Sequence, residues 1–134
     1  MKLFLITCLS LALATSSLNV LKIGKSCSSS SPFVVTSFNV SPYPPAAGQN
    51  MTVSMSGTFS TTQFVADIVK RVSYNNGKYQ LSYVDYSQSC QYGQLYTFNI
   101  SITAGTQAGI YDNQVGLETK QGSAFSCWDF TYHI

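Results

Sequence analysis

Histidine is almost missing from this chain: of 134 residues, only the penultimate one, His133, carries an imidazole. A Ser-His-Asp or Cys-His device therefore lacks a well-placed base and a partner to orient it. A half-exposed imidazole at a strand end is the simpler account. Charge is scarce too, with charged side chains at 9% and a formal net charge of +2. This is not the basic footprint of a nucleic-acid binder, and no nucleic-acid partner is expected. The acidic residues, Asp67, Asp85, Asp112, Glu118 and Asp129, are scattered over several predicted strands. A glycosidase needs two carboxylates flanking one cleft. Gly105 and Gly109 precede no helix, so they cradle no phosphate. There is no Cys-x-x-Cys pair, and one histidine cannot complete a zinc set, so neither a metal nor a cofactor is expected. No stretch sustains helical periodicity, and there is no internal repeat. Catalysis is not expected of such a chain.

Long apolar runs are limited to Leu3–Leu13, shorter than the ~20 residues a spanning helix needs. With Lys2 before it and Ala12-Leu13-Ala14 after it, the run reads as a secretory signal peptide over residues 1–17. Cys8 would leave with it, and the destination is the outside of the cell or an endolysosomal lumen. Residues 18–32, with a serine run from Ser28 to Ser31, read as an N-terminal arm. Three cysteines then remain in an oxidising compartment: Cys27, Cys90 and Cys127. They permit one disulfide and leave one sulfur over. Pairing Cys27 with Cys127 would close a loop of about 100 residues, adding up to about 4.7 kcal/mol in the chain-entropy model.

What is plentiful is β-sheet material. Aromatic residues reach 13%, and β-branched residues are frequent. The stretch Val40–Val53 is a proline corner followed by an alternating strand. Pro42, Pro44 and Pro45 exclude a helix, and Gly48 permits the turn. Strands are predicted over 33–40, 51–59, 64–72, 78–85, 95–102, 110–119 and 123–134. Asn76-Gly77 marks a hairpin and Gln121-Gly122 a tight turn. Residues 86–94 and 104–109 read as loops. Seven short alternating strands predict an all-β, two-sheet antiparallel sandwich over residues 33–134, expected to be a monomer.

The alternation selects an inward set. It comprises Met51, Val53 and Met55; Phe64, Ala66 and Ile68; Tyr96, Phe98 and Ile100; and Trp128, Phe130 and Tyr132. Such a set builds either a close-packed core or the lining of a gap that holds a guest. Met51 and Met55 suit a surface that adapts to varied partners. The sequons at Asn50 and Asn99 place their asparagines opposite this set, where a glycan points outward. A third sequon at Asn39 is followed by Pro42, which restricts Ser41.

Several motifs in order carry a family resemblance. They are S-P-Y-P-P-A-A-G-Q-N-M-T-V from Ser41, S-G-T-F from Ser56, Val84-Asp85 leading to Cys90, Gly109-Ile110-Tyr111, and F-S-C-W-D-F from Phe125. Together they resemble the ML lipid-recognition domain family, which includes the soluble Niemann–Pick type C cholesterol carrier and phosphatidylglycerol/phosphatidylinositol transfer proteins. The resemblance implies an immunoglobulin-like sandwich whose two sheets splay around a lipid tail, and a Cys27–Cys127 disulfide. It also implies that the inward set lines a lipid cavity, for a phospholipid or sterol ligand transferred between membranes during transient contact with their surfaces. Phosphatidylglycerol and phosphatidylinositol are favoured over sterol. Members usually carry another cysteine shortly before the position of Cys90 and a proline after it; here Gln91 follows, leaving Cys90 unpaired. A ten-carbon stretch would gain about 8 kcal/mol on leaving water. Tyr86, Tyr92 and Lys78 are expected near a head group at the mouth. Lys70 and Arg71 are expected either to dock on anionic membranes, at about 1 kcal/mol per charge, or simply to be solvated. The alternative is a secreted, glycosylated recognition module with a solid core and a protein partner.

Overall fold

A computed structural model describes residues 23–134. The expected signal peptide, 1–17, and the first residues of the expected arm, 18–22, lie outside the described residues. Eight strands follow in order: β1 Lys25–Ser26, β2 Phe33–Ser41, β3 Asn50–Phe59, β4 Gln63–Tyr74, β5 Gln80–Cys90, β6 Leu95–Thr103, β7 Ile110–Glu118 and β8 Ala124–His133. They form a five-stranded sheet in the order β1-β8-β7-β4-β5 and a three-stranded sheet in the order β2-β3-β6. All strand pairs are antiparallel. The predicted all-β sandwich is the observed architecture.

The extra strand, β1, comes from the segment expected as an arm. It pairs Lys25 with Asp129 and Ser26 with Trp128. The Cys27–Cys127 disulfide, Cα–Cα 5.1 Å, fastens it to β8 within the same sheet. The proline corner holds two cis bonds, before Pro42 and Pro44, and Gly48 has φ +70°.

Three sequence boundaries move. The hairpin turn centres on Asn75 and Asn76, both at positive φ, with the Gly77 N–H donating to the Tyr74 carbonyl at 2.9 Å. Two left-handed central residues are the signature of a type I′ turn. Gly77 therefore follows the corner instead of occupying it, and β5 starts at Gln80. At its far end, β5 continues to Cys90 through residues expected as a loop, because β4 supplies the pairing from Phe64 to Ser89 and from Gln63 to Cys90. An edge strand meets solvent widely and tolerates polar side chains.

The third shift changes which residues face inward. The β4–β5 register is broken between Val65 and Asp67. A one-residue slip sends a side chain to the opposite face. Val65 is accordingly part of the core, while Phe64, expected inside, is 47% exposed with the Lys120 ammonium over its ring. A similar irregularity between Val35 and Ser37 keeps Phe33 and Phe38 on one face of β2.

Candidate functional site

The centre of the sandwich is filled. Met51, Val53, Met55, Ile68, Phe98, Ile100, Phe130 and Tyr132 join one buried cluster, with Tyr96 and Trp128 partly buried against it. Ala66 is buried outside that cluster. Rings meet across the sheets: Phe38 with Phe130 at 5.8 Å, Phe59 with Phe125 at 6.0 Å, and Tyr86 with Phe98 at 5.1 Å. The expectation of sheets already standing apart is therefore corrected at the centre, where side chains close-pack as in any protein interior.

Space lies at the rim instead, because a five-stranded sheet overhangs a three-stranded one. On β5, Gln80, Ser82 and Val84 share the inward register of Val72, Lys70 and Ile68. Val84 is nonetheless 42% exposed, since β5 projects past the opposite sheet. At the hairpin end of this shelf is a pocket of about 380 Å³, lined by Val72, Tyr74, Gly77, Lys78, Gln80 and Tyr111. That volume falls at the lower end for small-molecule sites. A second pocket of about 250 Å³ opens along the other rim between β2 and β8, lined in part by Phe33, Val35 and Trp128.

Tyrosines close the end of the sandwich beside the hairpin pocket. Tyr111 stacks on Tyr132 at 5.2 Å and packs against Tyr74 at 5.0 Å. The Gly105 N–H donates to the Tyr132 hydroxyl at 3.1 Å, and burial raises the pKa of that phenol. Asn113, register partner of Val72, is fully buried on the same inward face. Its Nδ2 donates to the Tyr111 carbonyl at 3.5 Å, while Oδ1 has no partner. An unpaired buried acceptor costs about 1–3 kcal/mol.

The residues expected around a head group do not gather. Lys78 lines the hairpin pocket, Tyr86 packs on Phe98 in the interior, and Tyr92 projects at the opposite end of the sandwich, 70% exposed. Lys70 and Arg71, paired in the sequence reading, point to opposite faces. Arg71 donates to Glu118 on the outer face. Lys70, in phase with Ile68 and Val72, turns inward, and its Nζ donates to the Ser101 carbonyl of β6 at 3.3 Å. The inward faces thus do carry a cation. Its phase was readable from the alternation, whereas the orphaned amide of Asn113 had no sequence signal.

The acids are spread over four strands, β4, β5, β7 and β8, as expected, but they share one face. Asp67 pairs in register with both Asp85 and Glu118, and Asp112 lies beside Asp129. All sit on the outer face of the larger sheet. Tyr79 donates to Asp112, as does Thr131 at 3.3 Å. Burial and then the hydrogen-bonded Asp112 raise Asp129 to about 6. Burial opposes ionisation of Asp112 as well, but hydrogen bonds from Asp129, Tyr79 and Thr131 leave its pKa lowered. Cys90 is a free cysteine within the core, and burial raises its thiol pKa.

The described residues thus form a two-sheet sandwich with pockets along its rims. The family model described as ML domain matches residues 23–134, and the chain belongs to the ML domain family of lipid-binding domains. A solved Niemann-Pick type C2 protein from Japanese carpenter ant shares the fold. It aligns with TM-score 0.62 and 11% identity, covering 84% of this chain and 98% of that one. No curated protein sequence matches this chain significantly.

Proposed function

We propose that this ML domain is a soluble carrier that takes one lipid tail between its sheets and moves it between membranes. The observation that carries the reading is the exposed Val84 on the inward face of β5, beside a pocket whose walls include Tyr111 of the buried cluster and Val72 packed against it, in a domain of a lipid-binding family. The tail would enter from this shelf and part the sheets, replacing side-chain contacts by acyl contacts. Burial of ten methylenes, worth about 8 kcal/mol, offsets the lost packing. Met51 and Met55, both at the centre, have the flexible side chains that such repacking needs.

The preferred ligands are phosphatidylglycerol and phosphatidylinositol, with sterol second. Loading and release occur during transient contact with a membrane surface, by a monomer. The Cys27–Cys127 disulfide fits secretion or an endolysosomal lumen. Asn50 and Asn99, exposed on the three-stranded sheet, are the proposed glycan positions. Extraction of the purified protein with organic solvent, followed by mass spectrometry, tests the reading. Recovery of about one lipid per chain supports it; protein that yields none, even after incubation with mixed vesicles, contradicts it.

The filled centre favours a second reading, a recognition module with a solid core. Leu81 and Tyr83, exposed together on the outer face of β5, would be its contact surface for a protein partner. Lipid recovery decides between the two.

A further inference from the structure

Lys70 occupies an unusual place. Its strand neighbours on the same face, Ile68 and Val72, pack into the core, and its register partner Val115 is fully buried. All five carboxylates, Asp67, Asp85, Asp112, Glu118 and Asp129, stand on the opposite face of the sheet. An ammonium has three N–H donors, of which one here meets the Ser101 carbonyl across the gap. Lys70 is half-buried with its bond to Ser101 open to solvent, and among the described residues no ion pair engages it. Lys78 lines the hairpin pocket together with Val72, the next inward residue after Lys70 on β4. On the next row of the inward face lies Asn113, with its buried unpartnered amide oxygen. A face meant only for hydrocarbon would carry neither group.

We propose that Lys70 is the head-group anchor of this domain, selecting amphiphiles with one anionic group, a carboxylate or a phosphate, over neutral ones. The inference rests on the lipid-carrier reading and names its ligand class. The bond to Ser101 holds the ammonium at the boundary between shelf and interior. An incoming anion takes the remaining donors and brings its acyl chain against Val72 and Tyr111. Bonds from the ammonium to an anion, ionised on both sides, are stronger than its long bond to the neutral Ser101 carbonyl and so add hold on the head group. A sterol or alcohol offers no such gain.

The test compares wild-type protein with Lys70→Met and Lys70→Arg, using three probes sharing one chain: oleate, oleoyl-lysophosphatidylglycerol and oleyl alcohol. Hydrogen bonds to charged groups predict a loss of about ten- to a hundredfold in affinity of Lys70→Met for the anions. Oleyl alcohol should bind within about twofold of wild type, and Lys70→Arg should recover most of the anion affinity. A loss for oleate alone assigns the site to carboxylates, and a loss for the phospholipid alone assigns it to phosphates. Equal losses for all three probes, or no loss for any, overturn the proposal while leaving the carrier reading intact. Wild-type protein that binds none of the three overturns the carrier reading itself. Thermal unfolding of both variants verifies that they fold; should Lys70→Met not, Lys70→Gln replaces it.

Discussion

Phe38 and Trp128 stack face to face across the sandwich, their ring centroids 5.2 Å apart and their planes inclined by 23°. One ring comes from each sheet, so the pair measures how closely the layers approach. Removing a buried phenyl group typically costs about 3–5 kcal/mol. Phe38→Ala is therefore expected to lower the urea midpoint by a corresponding amount. Trp128, the only tryptophan, should emit at longer wavelength in that variant. An unchanged spectrum would mean that the stacking is not maintained in solution.

Gly57 on β3 is predicted to resist any side chain. A Cβ there would fall inside the van der Waals radius of the Val34 carbonyl oxygen and against the Phe33 ring. Backbone atoms cannot swing aside as a side-chain tip can. Gly57→Ala should destabilise by about 1–3 kcal/mol, the range for overpacking. Equal melting temperatures for variant and wild type would refute this.

Asp129 sets a pH dependence whose sign follows from its raised pKa. The folded state holds the proton more tightly than the unfolded chain, with the carboxyl moved from 3.8 to about 6. The associated stability is fully present below about 4 and is lost as pH rises through about 6. Asp112 and Tyr79 face Asp129 on this surface, with Lys25 opposing the shift. The two carboxyls titrate as a pair. Asp129→Asn should match wild type at pH 4.5 and exceed it at pH 7.5 in urea unfolding. Parallel stability curves for the two proteins would count against the shared proton.

Much of the fold was legible because alternation is unambiguous where strands are regular. Met51, Val53 and Met55, and Phe98 with Ile100, occupy the faces that their spacing predicts. Phe64 departs because the break between Val65 and Asp67 leaves no mark in residue type. β1 has two residues and is defined by its pairing with β8 rather than by any pattern of its own. Lys70 was misplaced for a different reason. The inward phase of β4 was visible in Ile68 and Val72, but alternation was read for apolar residues, and the lysine between them was expected, with Arg71, at a membrane surface or in solvent. Whether the two layers touch depends on the summed volumes of side chains from distant strands, which local spacing does not encode.

The central claim is that a tail enters between the sheets, and Trp128 is placed to report it from the inner face of β8, partly buried against the core. Stearate carrying bromines near the middle of its chain quenches an indole only on contact, so titration with brominated and plain stearate is the most direct measurement. Saturable quenching by the brominated acid at about one equivalent, with none from plain stearate, is the predicted result. Undiminished Trp128 emission while the brominated acid is demonstrably bound would contradict passage of the tail through the middle of the sandwich.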